Sequence, residues 1–225
     1  MPPRTALTIL SVVSGVAADY TTLVNRYTAD PSPIVIDGRL WVYASHDLKD
    51  QAGWLMTDYS ASSTADLVNW RDEGIPFAIA NLSWGKYLWA QQVVRNPDDG
   101  QFYMFFPAMN SRAGEQVGIG VARAATPSGP FIDLLGKPLL PCGDDPTILL
   151  HSGPGGGAVL CGNCNGGPYC GVLTKNLTAF ATPPSLPAHP MPNWFEAPWL
   201  SVVGNVTYLS YMCTGNGSEQ FSHYG

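Results

Sequence analysis

A polar residue heading a short apolar run recurs along the chain, at Asp30-Pro31-Ser32-Pro33-Ile34-Val35-Ile36, Gln92-Val93-Val94, Asp145-Pro146-Thr147-Ile148-Leu149-Leu150 and Glu196-Ala197-Pro198-Trp199-Leu200. Successive heading positions are 62, 53 and 51 residues apart. A turn signal and an aromatic-rich second run follow: Asp37-Gly38 before Leu40-Trp41-Val42-Tyr43, Asp98-Asp99-Gly100 before Phe102-Tyr103-Met104-Phe105-Phe106, and Gly204-Asn205 before Tyr208-Leu209-Ser210-Tyr211. In the third repeat the glycine run 155–157 precedes Ala158-Val159-Leu160. Such pairs predict β-hairpins, and no long helical period separates them. A hairpin repeated at this spacing reads as one β-propeller blade per repeat, so the expected fold class is all-β.

The pattern also sets finer expectations. Trp54-Leu55-Met56 and the segment from Tyr59 to Trp70 should complete the outer strands of the first blade. The second blade should open at Trp89-Ala90-Gln91-Gln92, with Val117 to Ala122 as its third strand. The third should begin at Asp145 and the fourth at Glu196, joined by an extended proline-rich loop from Pro183 to Pro192. At about 55 residues and four strands per blade, five blades would need roughly 275 residues, and the part after residue 18 supplies about 207. About four blades are therefore expected, the fourth incomplete and the fifth absent, in one domain over residues 19–225.

Composition narrows the function classes. Of the 225 residues, 45% are hydrophobic and 12% charged, which gives a real core and excludes disorder. A net charge of -6, with 11 Lys and Arg and no basic run, leaves no footprint for nucleic acid and favours a neutral substrate. No apolar stretch reaches the roughly 18 to 20 residues of a membrane span. Arg4, the apolar run Ala6 to Val13 and the small-residue site Val16-Ala17-Ala18 predict a secretory signal over residues 1–18; the alternative is an N-terminal strand closing the ring. Sequons at Asn81, Asn176, Asn205 and Asn216 agree with export and glycosylation. In that compartment Cys142, Cys161, Cys164, Cys170 and Cys213 should mostly form disulfides. Zinc is disfavoured, since no histidine or fourth cysteine stands at finger spacing.

In a propeller the innermost strands line a central channel, so Asp30, Asp145 and Glu196 should converge on one pit. Two carboxyl groups flanking a glycosidic bond suffice for hydrolysis, and a third near the acid raises its pKa. Asp-Pro pairs also start turns, which gives Asp30 and Asp145 a structural alternative. Asp144 rivals Asp145 but stands one residue off the strand head. Glu196, between Trp194-Phe195 and Ala197-Pro198-Trp199, has a setting that favours the protonated form.

These residues resemble a known family. Thr28 to Pro33, Tyr43 to Asp47, Ser62 to Trp70, Gly120-Val121-Ala122 with Ser128-Gly129-Pro130-Phe131, Asp145-Pro146-Thr147, and Phe195 to Leu200 with Tyr208 to Tyr211 are similar, in order, to glycoside hydrolase family 43. The resemblance implies a five-bladed β-propeller and an inverting glycosidase that acts on arabinose- and xylose-containing polysaccharides of the plant cell wall. It makes Asp30 the general base, Asp145 the residue that orients the acid and raises its pKa, and Glu196 the general acid. Trp89, Gln92 and His46 become substrate-binding candidates, Gln92 standing where many members carry aspartate. No cofactor and no metal ligand are expected. A structural cation belongs to a channel histidine of the family's fifth blade, and His223 follows Glu196 too soon to replace it. A secreted monomer is expected, binding polysaccharide or oligosaccharide; the alternative is an inactive or truncated propeller that only holds carbohydrate.

Overall fold

The structure, a computed structural model, describes residues 26–51, 53–111, 114, 116–150, 157–187, 191–214 and 220–224. The expected signal segment, Asn216 and most of the glycine run before Ala158 lie outside these. The described residues form antiparallel sheets in chain order, with one short 3-10 turn at Ile79–Asn81.

Blade one is β1 (Thr28–Ile36), β2 (Arg39–His46), β3 (Asp58–Thr64) and β4 (Trp70–Ala78), each paired with the next. The expected strand at 54–56 is absent, and 65–69 is a turn. The turn has a local cause: the Asp66 carboxylate accepts the N–H groups of Val68 and Asn69 and a bond from the Asn69 amide, which holds it well below the usual carboxylate range.

In blade two, β7 (Phe102–Asn110) lies between β8 (Gln116–Ala124) and an edge made of two pieces, β5 (Gly85–Leu88) and β6 (Gln92–Arg95). A short β9 (Ile132–Asp133) follows β8. The blade therefore opens at Gly85, not at Trp89, and Trp89-Ala90-Gln91 fills the break. Blade three is β10 (Asp144–Leu150), β11 (Ala158–Cys164) and β12 (Gly167–Leu173), with bridges from Cys170 to Ser185 and from Leu173 to Phe180 extending its outer edge. Blade four has β13 (Trp194–Val203), β14 (Val206–Thr214) and β15 (Gln220–Tyr224).

β7 shows how the blades pack. Successive strand side chains point to opposite faces. Phe102, Met104 and Phe106 enter a cluster with Trp41, Tyr59, Phe77 and Trp84 of blades one and two. Tyr103 and Phe105 enter the opposite cluster with Ile119, Val121, Ile148 and Leu160 of blades two and three. Gly120 is needed at the first of these, because a Cβ there would meet Phe106 at 2.5 Å and Trp84 at 2.8 Å.

Polar clamps tie the blades together. Gln92, on β6, gives Ile148 N–H an acceptor at 2.7 Å and donates to Ile148 C=O at 3.3 Å. Thr147, wholly buried, accepts the Leu200 N–H at 2.9 Å. Disulfides join Cys142 to Cys164 and, across the β11–β12 register, Cys161 to Cys170; Cys213 is a buried free thiol.

Candidate active site

The inner strands of blades one, three and four share one local device. β1 slips register between Ala29 and Ser32, β10 between Asp144 and Thr147, and β13 on both sides of Glu196. Within each slip a residue just before proline has positive φ: Asp30 at 53°, Asp145 at 47° and Ala197 at 53°. A non-glycine residue in this region is uncommon, and a bulge re-aims the side chains around it. In blades one and three the acid occupies the bent position itself. In blade four alanine occupies it and Glu196 precedes it.

The result brings Asp30, Asp145 and Glu196 into one another's electrostatic field. Burial raises the Glu196 carboxyl first, and the charges of Asp145 and Asp30 raise it further. Asp145 is raised by burial and by Asp30, against the opposing Ala197 N–H, which it accepts at 3.0 Å. That bond fixes the peptide immediately after Glu196. Asp30 lies at the accessible edge of the pit; surrounding protein still raises it, Ser45 Oγ–H donates to it at 3.0 Å and lowers it, and Asp47 raises it.

A fourth carboxyl belongs to the cluster. Asp144 is pushed up to about 7, by burial first and then by Asp145, with smaller contributions from Glu196 and Asp30. Strict alternation would send it to the face opposite Asp145; the bulge brings the two together. Beneath lies Tyr59, completely buried, its phenol raised by burial and by Asp144 and Asp30, donating to the carbonyl of Trp89.

The three binding candidates are placed differently from one another. Trp89 is half-buried, its indole N–H donating to Trp54 C=O at 2.9 Å. His46 Nδ1 pairs with Asp58 Oδ1 at 2.6 Å. Gln92 directs its amide at Ile148 in the blade clamp, where it bonds protein backbone. Gln91, which sequence reasoning passed over, is 3% exposed, and neither of its amide atoms has a hydrogen-bonding partner among the described residues. Among the described residues no three His, Cys, Asp or Glu side chains are arranged to hold a metal ion, so no residue here is assigned to a cation.

Raised carboxyl pKa values make stability fall with pH. The native state holds these protons more tightly than the unfolded chain, so their stabilising contribution is complete below about pH 4 and is lost as pH rises through the folded values, the Asp144 value being about 7. Thermal unfolding at a series of pH values should give a lower Tm at pH 8 than at pH 5; a Tm that climbs over this interval contradicts the electrostatics of the pit.

An all-β propeller with acids gathered at bulged inner strands defines the class of protein. Comparison with known proteins gives the family: the sequence model of glycosyl hydrolases family 43 matches residues 21–225, and the chain belongs to that family. A xylosidase/arabinosidase of Bacteroides ovatus is 35% identical over 116 residues, 47% of this chain and 34% of that protein. An arabinoxylan arabinofuranohydrolase of Paenibacillus polymyxa is 34% identical over 151 residues, 58% of this chain and 21% of that protein. The matches thus span about a third or less of these relatives' length. Among solved structures, a β-xylosidase/α-arabinofuranosidase from a compost microbial metagenome, in complex with xylotriose and in a calcium-free form, superposes with a TM-score of 0.75 at 25% identity, covering 90% of this chain and 75% of that one. An α-L-arabinofuranosidase of Clostridium thermocellum gives 0.74 at 27% identity, covering 89% and 68%.

Proposed function

We propose that the chain is an exported glycoside hydrolase that releases arabinofuranosyl or xylosyl units from plant cell-wall polysaccharide with inversion at the anomeric carbon. The observation that carries this reading is the meeting of Asp30, Asp145 and Glu196 from three blades, with Glu196 raised toward its protonated form. Asp30, the more accessible of the acids and steadied by Ser45, serves as base. It takes a proton from water, whose oxygen bonds to the anomeric carbon; on the other side Glu196 gives its proton to the departing glycosidic oxygen as that carbon–oxygen bond breaks. Asp145 keeps the proton on Glu196 by its charge and fixes the Glu196–Ala197 peptide by accepting its neighbour's N–H.

The relatives' names support pentosyl substrates. Trp89, half-buried, offers a ring face of the kind sugars pack against. Export is supported by the disulfides and by exposure of the sequon asparagines Asn81, Asn176 and Asn205. The test is hydrolysis of aryl arabinofuranosides and aryl xylopyranosides by the purified protein. Release of phenol from either supports the reading. A folded protein that releases none and still retains arabinoxylan in affinity electrophoresis is a carbohydrate-binding propeller instead.

A further inference from the structure

Where blades two and three meet lies a cavity of about 220 Å³ that the mechanism above does not use. It is lined by Gln116, the first residue of β8, by Gly143 and Asp144 where β10 begins, and by Asn163 and Asn165 where β11 ends. Its frame is firm. Cys142, which also lines it, is joined by a disulfide to Cys164. Gly143 donates its N–H to the Val117 carbonyl at 3.0 Å, and a Cβ at 143 would meet Ile119 of the same β8 at 2.8 Å, so the two blades lie close together at this edge.

The lining suits a neutral sugar. Three of its side chains are amides, each with two N–H donors and an acceptor oxygen, and sugar hydroxyls both donate and accept. Asn163 accepts the Trp194 indole N–H at 3.4 Å and donates to Phe195 C=O at 3.5 Å, which leaves its amide one N–H and one lone pair for a ligand. No Lys, Arg or His lines the cavity and Asp144 does, so a sugar carboxylate would find an acid and no counter-ion. The volume lies below the roughly 300–1,000 Å³ of sites for larger ligands, which limits the occupant to about one sugar unit.

Position decides which sugar that is. Asn163 pairs with Asp144 across β10 and β11, and its two side-chain bonds carry the cavity up to Trp194 and Phe195, the residues just before Glu196. No residue of blade one, which holds Asp30, lines it. In single displacement the water attacks from the side of the base and the glycosidic oxygen departs beside the acid, so a sugar next to the Glu196 strand and away from Asp30 is the departing one. We propose that the cavity is the leaving-side subsite: it takes one neutral pentosyl unit of the polysaccharide through hydrogen bonds to Gln116, Asn163 and Asn165. The inference rests on the roles given to Asp30 and Glu196, but its binding test does not depend on turnover.

The variants are Gln116→Ala and Asn165→Gly. Gln116 is exposed, and Asn165 has φ at 54°, a conformation that glycine adopts freely, so both should fold as the parent does. Xylobiose is titrated into 15N-labelled Glu196→Gln protein, and the side-chain amide signals of Gln116, Asn163 and Asn165 are followed by NMR. All three should shift, and digalacturonate at the same concentration should leave them in place. Each variant, made in that background, should weaken xylobiose binding about two- to tenfold, the worth of a neutral hydrogen bond. With Glu196 restored, each should lose about as much in kcat/KM, through KM, on arabinofuranosyl-xylobiose or xylotriose, whichever is cleaved. On the matching nitrophenyl pentoside, whose leaving group carries no sugar hydroxyl, both should stay within about twofold of the parent. Amide signals that do not move with xylobiose, signals that move equally with digalacturonate, or variants that bind and cleave as the parent does would each overturn the inference, while the glycosidase reading stands on turnover alone. Shifts that weaken in both variants of a protein with no turnover sustain the sugar site while removing the glycosidase reading.

Discussion

Replacing Glu196 by Gln should lower kcat/KM by about 10²–10⁴-fold on substrates whose leaving group is a sugar, because such an oxygen departs only with a proton. On a nitrophenyl glycoside, whose phenolate leaves unaided, the loss should be much smaller. Asp30→Asn should behave differently: the attacking water needs its base whatever departs, so the loss should be of the same order on both substrates. The contrast matters because a variant that merely distorts the pit reduces both alike. Burial and the charges of Asp145 and Asp30 make Glu196 the acid in this scheme, and Ser45 helps make Asp30 the ionised partner. If Glu196→Gln and Asp30→Asn show the same dependence on leaving group, the division of roles between them is wrong.

The second large effect is expected at Gln92, which touches no proposed reacting atom. Its amide answers both the N–H and the C=O of Ile148, buried on the next blade. Gln92→Leu fills similar space and answers neither, leaving paired backbone groups unsatisfied at about 1–3 kcal/mol each. Destabilisation should reach about 2–6 kcal/mol, measured by urea unfolding. Ile148 lies three residues beyond Asp145, so slack there also loosens the bulge that aims the acid. Activity per folded molecule should fall while KM changes little. A Gln92→Leu protein of parental stability and higher KM would instead make Gln92 a substrate ligand, the role its position in the sequence had pointed to.

Much of this was legible in the chain because strand heads carry unusual chemistry. Asp30-Pro31 and Asp145-Pro146 mark positions where a strand bends, and the structure shows the bend as a register slip with positive φ. Glu196 stood out among aromatics, and burial is indeed the largest cause of its shift. Asp144 ranked behind Asp145 because it stands one residue off the expected strand head; the structure begins β10 at Asp144, and the register slip that follows brings the two acids into one cluster, which no sequence pattern marks. The break at 89–91 was hidden for a similar reason: β5 and β6 share one edge of β7, a pairing of segments on either side of an interruption. Trp54-Leu55-Met56 read as a strand from its apolar character, yet Met56 is buried by tertiary contact, its carbonyl taking the Leu88 N–H at 3.0 Å. Gln91 and Gln92 look alike in sequence, and only the adjacent blade distinguishes the amide bound to Ile148 from the one left without a protein partner.

The most direct test of the account is to follow by 1H NMR which anomer of the released pentose forms first, using a substrate of known anomeric configuration before mutarotation sets in. Single displacement by water, with Asp30 as base and Glu196 as acid, predicts that the first product carries the inverted configuration. A first product of retained configuration would mean that a carboxylate attacks carbon and forms a covalent intermediate, which contradicts the roles assigned to the pit.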